Sequence, residues 1–194
     1  MRGAFDPSAL NDDPSTIYAL DPELRINYMN LAWARFALAN GAHWADGRWG
    51  LGTRIMDAVP TILRPFYEHL FEAARTTSVA VEHDYDCSSG TVYRRFRMRV
   101  MPCERDILLV IHSLLRESPR ACSTDPAPDF LYKNQDGLIV QCAHCRCVRR
   151  ARTTAWELVP AYVERAAPGL VDGLCDVCHA YYYPSASNAG PSRS

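Results

Sequence analysis

The sequence predicts an α+β fold, in which an antiparallel five-stranded sheet with helices on one face is followed by a small metal-binding unit. Alternating acidic, basic and apolar residues over 79–87 and 92–100 indicate two paired antiparallel strands. A strand, strand, helix order before residue 40 supplies the opening of the same sheet. Two Cys-x-x-Cys pairs, about thirty residues apart, predict the metal-binding unit. These cysteines are Cys142, Cys145, Cys175 and Cys178.

The composition limits the classes of protein to be considered. At 194 residues and 48% hydrophobic, the chain is long enough for one core of about a hundred residues and a smaller unit that needs the cysteines to fold. The formal net charge is −1, so no overall field attracts nucleic acid or an acidic membrane. The amino terminus has no apolar run, and the longest aliphatic run, residues 107–111, is far too short to span a membrane. We therefore expect a cytoplasmic protein without a membrane partner.

The first elements follow from local patterns. Residues 1–14 are rich in Asp, Asn, Pro and Ser and predict a flexible arm. Strands are expected at 17–20 and 25–29, joined by a turn into an opening hairpin. Asn30 is a preferred amino-terminal cap for a helix over 31–39.

The middle of the chain is predicted to be irregular before a second helix forms. Asn40 and Gly41 supply a left-handed helix stop, and the Gly and Trp content of residues 43–52 indicates a loop. A helix is expected after residue 60, with Pro65 in its first turn and apolar residues at helical spacing beyond it.

The strongest sheet signal is the hairpin that follows this helix. A loop of two or four residues would set Asp84 opposite Arg95 and Glu82 opposite Arg97, with apolar side chains on the other face. A loop one residue longer or shorter would set acids against the apolar row. The pattern therefore specifies which face of the sheet each side chain occupies. A last strand is expected over 106–115.

The order of elements between residues 15 and 117 resembles the PAS domain family. Residues 20–30, Leu-Asp-Pro-Glu-Leu-Arg-Ile-Asn-Tyr-Met-Asn, look like that family's opening hairpin running into an Asn-capped helix, and three strands follow the long helix. The resemblance implies a sensory or interaction domain. Such a domain takes a small ligand or cofactor between sheet and helices, or forms a homodimer through the outer face of the sheet, and usually lacks catalysis.

The carboxy-terminal part is predicted to form the metal unit. Prolines and polar residues mark 118–129 as a linker, residues 130–184 as the metal unit and 185–194 as a disordered tail. The second cysteine pair precedes residues 180–183, which predict a helix whose first turn carries ligands, in a treble-clef-like arrangement. An apolar stripe between the pairs predicts a short helix. It comprises Trp156, Val159, Tyr162 and Val163.

Residues 141–183 are also similar to the cysteine-paired tails that follow PAS or receiver modules in some bacterial signalling proteins. The resemblance rests on a Cys-x-His-Cys knuckle at residues 142–145, an insert containing Trp156, and a Gly-x-Cys-x-x-Cys segment at residues 173–178. It implies a bacterial signalling protein with a zinc-binding tail.

The spacing favours structural Zn²⁺ over a disulfide, because a bridge across so short a turn is strained and cytosolic thiols stay reduced. Redox-active thiols and unliganded cysteines are the alternatives. His144, Cys147 and His179 are spare donors that could replace a ligand. A closed set of four cysteines leaves no open position for catalysis. The scattered thiols are Cys87, Cys103 and Cys122.

An arginine cluster beside the first cysteine pair allows two interpretations. The arginines either screen the negative charge of the thiolates or form a phosphate-binding patch for nucleic acid. Residues 130–184 contain six bases against five acids, and this balance favours screening. The cluster comprises Arg146, Arg149, Arg150 and Arg152.

Six residues of the PAS-like segment are candidates for lining a ligand cavity. His69 could bind haem iron, although Glu68 and Glu72 indicate a helix surface. Arg94 breaks the apolar row and either emerges at the sheet edge or reaches an anionic ligand. No cysteine occurs between residues 41 and 60, which excludes the cysteine-based flavin photochemistry of one PAS subtype. The remaining candidates, on the apolar parity of the strands, are His83, Phe96, Met98 and His112.

The sequence therefore predicts a bacterial cytoplasmic signal-sensing or interaction protein, whose zinc unit passes the output on by protein contact. We expect no enzymatic activity, because no Ser-His-Asp set, phosphate loop or metal-hydrolase helix is present. The alternatives are a nucleic-acid-binding regulator that uses the basic knuckle, and a thiol redox switch or haem-based sensor.

Overall fold

The computed structural model describes residues 6–39, 50–120, 128–164 and 167–184. It confirms the predicted α+β class, with a five-stranded antiparallel sheet, helices, and a four-stranded sheet that carries the cysteines. Residue contacts divide the described chain into two compact units. The first unit draws on Met1–Pro60, Tyr67–Tyr85 and Arg95–Arg116, and the second on Thr61–Phe66, Asp86–Arg94 and Glu117–Ser194.

The five-stranded sheet has its first and last strands at its centre. Its strands are β1 (Thr16–Leu20), β2 (Ile26–Met29), β3 (Val81–Asp86), β4 (Val92–Pro102) and β5 (Leu108–Pro119). Their spatial order is β2-β1-β5-β4-β3, and β1 pairs antiparallel with both β2 and β5. The sequence predicts each of these strands to within a few residues of its observed bounds. The last strand is longer than expected and takes in the first two residues of the predicted linker.

Four α-helices lie in the described residues of the amino-terminal part of the chain. They are α1 (Pro7–Leu10), α2 (Leu31–Ala39), α3 (Ile55–Ala58) and α4 (Arg64–Thr77). Pro65 lies in the first turn of α4, as predicted. The expected stop at Asn40 and Gly41, and residues 43–49 of the expected loop, lie outside the described residues. No helix in the described part of the chain is long and apolar enough to cross a membrane.

The α1 segment differs from the flexible arm that composition predicts for residues 1–14. Asp6 caps the helix through its Oδ1, which accepts from the Ser8 backbone N–H at 3.0 Å, and Pro7 occupies the first helical position. Leu10 packs against the buried Ile17 and its apolar neighbours on the outer face of the sheet. The arm is therefore held by a cap and by one apolar anchor.

Asn30 connects three segments of the first unit. Its Oδ1 accepts from the backbone N–H of Trp33, which confirms the predicted cap of α2, and also from the N–H of Ile17 in β1, both at 3.0 Å. Its Nδ2 donates to three backbone carbonyls. These belong to Leu10, Asp13 and Ser15. The side chain is only 2% exposed, and its five bonds satisfy both ends of the buried amide.

A row of rings crosses the inner face of the five-stranded sheet. Tyr18 stacks on His112, Tyr85 stacks on Phe96, and the Tyr85 hydroxyl lies 2.8 Å from His112 Nδ1. Helices α2 and α4 approach this same face, which confirms that the helices gather on one side of the sheet. Their ring contacts come from Trp33, Phe36 and Tyr67.

The side chains of the β3–β4 hairpin occupy the predicted faces, but each acid pairs with the arginine two positions later than predicted. The Arg97 guanidinium donates to both carboxylate oxygens of Asp84, at 2.8 and 3.2 Å, and Arg99 pairs with Glu82. Arg95 lies 3.8 Å from Asp84 and is not its main partner. The Ser89 backbone N–H donates to the Val92 carbonyl, so the loop is centred one residue later than predicted. A shift of two in register preserves the side-chain faces, and the apolar pattern therefore cannot detect it.

The second sheet is built around the cysteines. Its elements are β6 (Ile139–Cys142), β7 (Cys147–Arg149), β8 (Trp156–Leu158), β9 (Leu170–Gly173), α5 (Pro160–Glu164) and α6 (Asp176–Tyr182). The strand order is β8-β7-β6-β9, and β6 runs parallel to β9 but antiparallel to β7. A small apolar core lies beside this sheet. It comprises Tyr132, Ile139, Val148, Val159 and Tyr162.

Trp156 is a correction to the predicted helical stripe. It lies in β8, opposite Arg149 of β7, and only the later part of the stripe becomes the helix α5. Pro160 begins α5, and a residue that precedes proline is pushed toward extended backbone. The strand ends at Leu158, and the helix begins two residues later at this proline.

Candidate metal centre

The first cysteine pair lies on the tight turn between β6 and β7. Cys142 is the last residue of β6, and its carbonyl accepts from the Arg146 backbone N–H at 3.1 Å. Arg146 has a φ of +65°, in the left-handed region that glycine usually occupies. The turn sets Cys142 and Cys145 on one knuckle, as the Cys-x-x-Cys spacing predicts.

The second cysteine pair lies at the start of α6. Cys175 is the amino-terminal cap residue, and Cys178 lies in the first turn. The carbonyl of Cys175 accepts from the His179 backbone N–H at 2.7 Å, which closes that turn. The predicted arrangement, a knuckle followed by a helix whose first turn carries two cysteines, is the one observed.

Gly173 allows the two pairs to meet. It lies opposite Cys142 in the parallel β6–β9 ladder, and its carbonyl accepts from the Ala143 backbone N–H at 2.8 Å. A Cβ at this position would lie 2.6 Å from Val140 Cγ1, closer than side-chain atoms approach. The absence of a side chain at Gly173 therefore lets β9 pack tightly on β6, and the chain reaches Cys175 two residues later.

The four sulfurs form one compact cluster. All four Sγ atoms lie within 4.8 Å of one another, and the Cys145 and Cys175 sulfurs are 3.8 Å apart. A tetrahedral zinc with Zn–S bonds of about 2.3 Å requires S···S separations of about 3.8 Å. A disulfide requires about 2.05 Å, which these separations exceed. The donor set therefore fits a tetrahedral soft-metal site.

The protein environment favours neutral thiols where no cation is bound. A hydrogen bond with the Cys145 thiol, followed by burial, raises the pKa of Cys142 to about 12. Burial, followed by a hydrogen bond with Cys175, raises the pKa of Cys178 to about 12. A metal ion that binds here must replace these protons, and it would then be held by four thiolates.

Apolar side chains shield the cluster from one side. Trp156 and Leu174 pack against Cys142, Cys175 and Cys178, all three of which are buried. The sequence marks Trp156 as apolar but does not place it at the cysteines, because its strand forms only when β8 pairs with β7. A closed, largely buried four-sulfur set is typical of structural rather than catalytic zinc.

The spare donors lie near the cluster but outside the set of four sulfurs. His144 Nδ1 lies 2.8 Å from the Tyr182 hydroxyl, and its Nε2 lies 3.8 Å from a carboxylate oxygen of Asp86. His179 is exposed and contacts the ring of Tyr183. Cys147 is partly buried and lies at the start of β7, two residues after Cys145.

The arginine cluster is divided between different environments. Arg150 donates to both oxygens of Glu157, whose carboxylate also accepts from the Tyr132 hydroxyl. These two donors hold the pKa of Glu157 below its usual value, with the Tyr132 bond the larger cause. Arg149 and Arg152 are exposed. The charge of Arg150 is therefore offset within the unit, which weakens the phosphate-patch interpretation.

A small open cavity adjoins these arginines. Its volume is about 150 Å³, against the roughly 300 Å³ or more of a typical small-molecule site. It does not indicate a ligand site of ordinary size. Its lining residues are Tyr132, Asn134, Val140, Arg149, Arg150 and Ala151.

Two of the candidate cavity residues in the first part of the chain lie elsewhere. His69 is exposed on α4, which corrects its assignment to a ligand cavity and removes the haem-ligand geometry. Arg94 donates through Nε to Glu117 at 2.7 Å, so it forms an ion pair between β4 and β5. Helix periodicity left the direction of His69 open, because the side chain lies beside the apolar stripe.

The other four candidates lie on the inner face. Phe96, Met98 and His83 are buried, at 6%, 2% and 8% exposure, and His112 is partly buried against Tyr85. Burial lowers the pKa of His112 to about 4, so the ring is neutral at physiological pH. The structure brings these residues together as packed side chains of the sheet's inner face.

Comparison with known proteins gives a fold likeness only. No protein-family model matches the chain, and no curated protein matches it. Several solved structures resemble it, and the three described below each cover little more than half of this chain.

Three of these structures are compared here by sequence identity, TM-score and the share of each chain that is covered. A domain of an HTR-like protein from Haloarcula marismortui is 13% identical, with a TM-score of 0.40 over 54% of this chain and 100% of that one. The photoactive yellow protein domain of the sensor histidine kinase Ppr from Rhodospirillum centenum is 14% identical, with a TM-score of 0.39 over 56% and 93%. The PAS domain of Bordetella pertussis BvgS is 18% identical, with a TM-score of 0.42 over 56% and 80%. At TM-scores below 0.5 these likenesses are weak, and the architecture described above rests on the strand order and pairing of this chain.

Proposed function

We propose that the four cysteines hold a structural Zn²⁺ ion that folds the second sheet and α6. The observation that supports this most directly is the cluster of four Sγ atoms within 4.8 Å, contributed by a knuckle and a helix start. Such a site supplies folding free energy, because four protein ligands close the coordination shell.

Elemental analysis of the purified full chain tests the metal proposal. We expect one zinc per chain in the wild type and less than a tenth of that in Cys142→Ser or Cys178→Ser. Cys103→Ser is the matched control, because Cys103 is buried but lies in the outer-face apolar cluster of the sheet, and it should keep its zinc. Zinc-free wild-type protein, with four reactive thiols, would contradict the proposal.

We also propose that the whole chain is a bacterial cytoplasmic signal-sensing or interaction protein without catalysis of its own. The five-stranded sheet, with helices on the ring-lined inner face, is the arrangement implied by the PAS resemblance of residues 15–117. The zinc unit at residues 130–184 would then act as the contact surface for output. An absorption spectrum of the purified chain tests for haem and flavin, and we expect neither because His69 is exposed.

The outer face of the five-stranded sheet supports a homodimer as part of this proposal. It carries a buried apolar cluster around Ile17, and large apolar side chains on the same parity of β4 and β5, Met101 and Leu115, are 36% and 46% exposed. Light scattering should give twice the chain mass. Leu115→Glu should shift the mass to that of one chain, whereas Leu38→Glu, at an exposed position on α2, should not.

A further inference from the structure

Five cysteines lie in the second sheet and the start of α6, at a site that needs four. Cys147 lies at the start of β7, two residues after Cys145. Because Gln141 pairs with Val148 in the β6–β7 ladder, Cys147 lies opposite Cys142. A tetrahedral zinc takes four sulfurs, and the compact cluster of four excludes Cys147. Cys147 is therefore an uncommitted thiol next to the proposed ligands.

Access separates these five cysteines into two groups. Cys142, Cys175 and Cys178 are buried at 0%, 8% and 6% exposure, whereas Cys145 and Cys147 are only partly buried. A small oxidant arriving from solvent therefore meets the Cys145–Cys147 side of the cluster first, since thiol oxidation follows exposure.

The backbone between the two thiols turns sharply. Arg146, the single residue between Cys145 and Cys147, has a φ of +65° and turns the chain there. A disulfide that spans a single residue is strained, and strained disulfides are the readily reduced ones. A bridge at this position would be reversible rather than structural.

We propose that Cys145 and Cys147 form a peroxide-sensitive pair whose oxidation releases the zinc. This inference rests on the zinc site proposed above. Hydrogen peroxide oxidises Cys147 to a sulfenic acid and is reduced to water. The Cys145 sulfur then attacks the Cys147 sulfur, the S–O bond breaks, and hydroxide leaves as the S–S bond forms.

The reaction balances as one bound thiolate, one thiol and one hydrogen peroxide giving one disulfide, one water and one hydroxide. Each sulfur loses one electron, and the two peroxide oxygens gain them. Zinc keeps three of its four ligands and loses the closed shell that holds it. A thiol reductant would restore the pair and the site.

Bridging between two ligand sulfurs is the competing reaction. Cys145 and Cys175 are 3.8 Å apart, and peroxide could join them without Cys147. The two reactions are distinguishable, because only one of them depends on Cys147.

The test uses the full chain, purified under reducing conditions and then freed of reductant. Zinc content is measured first, and zinc release is then followed with a colorimetric chelator after addition of hydrogen peroxide. We expect Cys147→Ser to keep wild-type zinc content and to release zinc at least tenfold more slowly. Cys87→Ser, which removes an exposed thiol outside the cluster, should behave as wild type.

Peptide mapping identifies the bridge. Trypsin cleaves after Arg146, so a Cys145–Cys147 disulfide joins the peptide 134–146 to the peptide 147–149, and fragmentation separates it from a Cys142–Cys147 bridge. Finding this disulfide in the peroxide-treated wild type supports the proposal. Wild-type release rates in Cys147→Ser, with bridges among the four ligands only, would overturn it.

Two other outcomes overturn the switch for different reasons. Loss of zinc from untreated Cys147→Ser would make Cys147 a ligand rather than a switch thiol. A wild-type chain that carries no zinc before peroxide is added would overturn the metal site and the switch with it. Zinc content before treatment thus reports on the proposed function, and release and mapping after treatment report on the inference.

Discussion

At the scale of single residues, Asn30 makes more connections in the first unit than a helix cap requires. Sequence reasoning identifies it as a helix cap, and the structure adds the bonds from its amide to three carbonyls of the amino-terminal segment. These carbonyls come from residues up to twenty positions away, so no local pattern could predict them.

Asn30→Ala should destabilise the chain by about 2 to 4 kcal/mol, because it removes a helix cap and leaves the buried Ile17 N–H without an acceptor. Urea denaturation at pH 7 measures the loss. Asn30→Asp is the matched variant, since it keeps the acceptor but turns a carboxylate toward three carbonyl oxygens, and it should not restore stability. Full recovery in Asn30→Asp would show that the amide's donor side contributes nothing.

We expect His112 to lower the free energy of unfolding as the pH falls below 6.5. Burial lowers its pKa from 6.5 to about 4, so the unfolded chain binds a proton more readily than the folded one between these values. The stability due to the neutral ring is complete above pH 6.5 and decreases as the pH falls toward 4. The loss is at most about 3 kcal/mol, and less to the extent that water reaches this part-buried ring.

His112→Gln should flatten this dependence, because glutamine does not titrate and its side-chain oxygen can still accept from the Tyr85 hydroxyl. Urea denaturation of both proteins at several pH values from 4 to 8 measures the two slopes. Equal slopes for the variant and the wild type between pH 4 and 6.5 would show that His112 does not carry the effect.

At the scale of elements, parity and register behave differently. The acid and arginine rows of β3 and β4 predict which face each side chain occupies, and those faces are observed. The partner of Asp84 is Arg97 rather than Arg95, because the loop closes one residue later. Hydrophobic alternation is the same for registers that differ by two residues, so the geometry of the turn sets the register.

The junction of β6 and β9 provides an element-scale test. Gly173→Ala should place a methyl group against Val140 and push β9 away from β6. We expect the free energy of unfolding to fall by about 1 to 3 kcal/mol and zinc to bind more weakly. Zinc affinity is measured by competition with a chelator of known affinity. Val140→Ala removes the obstructing methyl group, and the double variant should recover most of the loss. Wild-type stability and zinc affinity in Gly173→Ala would show that close packing of β9 on β6 is not needed.

At the scale of the whole molecule, we expect the second unit to depend on the proposed zinc ion and the first on its apolar core. Chelation of zinc should abolish amide-exchange protection in β6, β9 and α6, and leave the central strands β1 and β5 protected. At a free zinc concentration about a thousand times Kd, the ion contributes about 4 kcal/mol, and this is lost on chelation. Hydrogen exchange with mass spectrometry measures both regions. Equal loss of protection in both would show that the chain unfolds as one cooperative body.

Residue types at short spacing are enough to predict the α+β class, the five strands of the first sheet, the helices α2 and α4, and the four cysteines of the proposed metal site. Other features follow only from how distant segments pack: the hairpin register, the strand that carries Trp156, the exposure of His69 and the position of Cys147 outside the four-sulfur cluster. These depend on which segments pack together, and side-chain alternation is the same for several such arrangements.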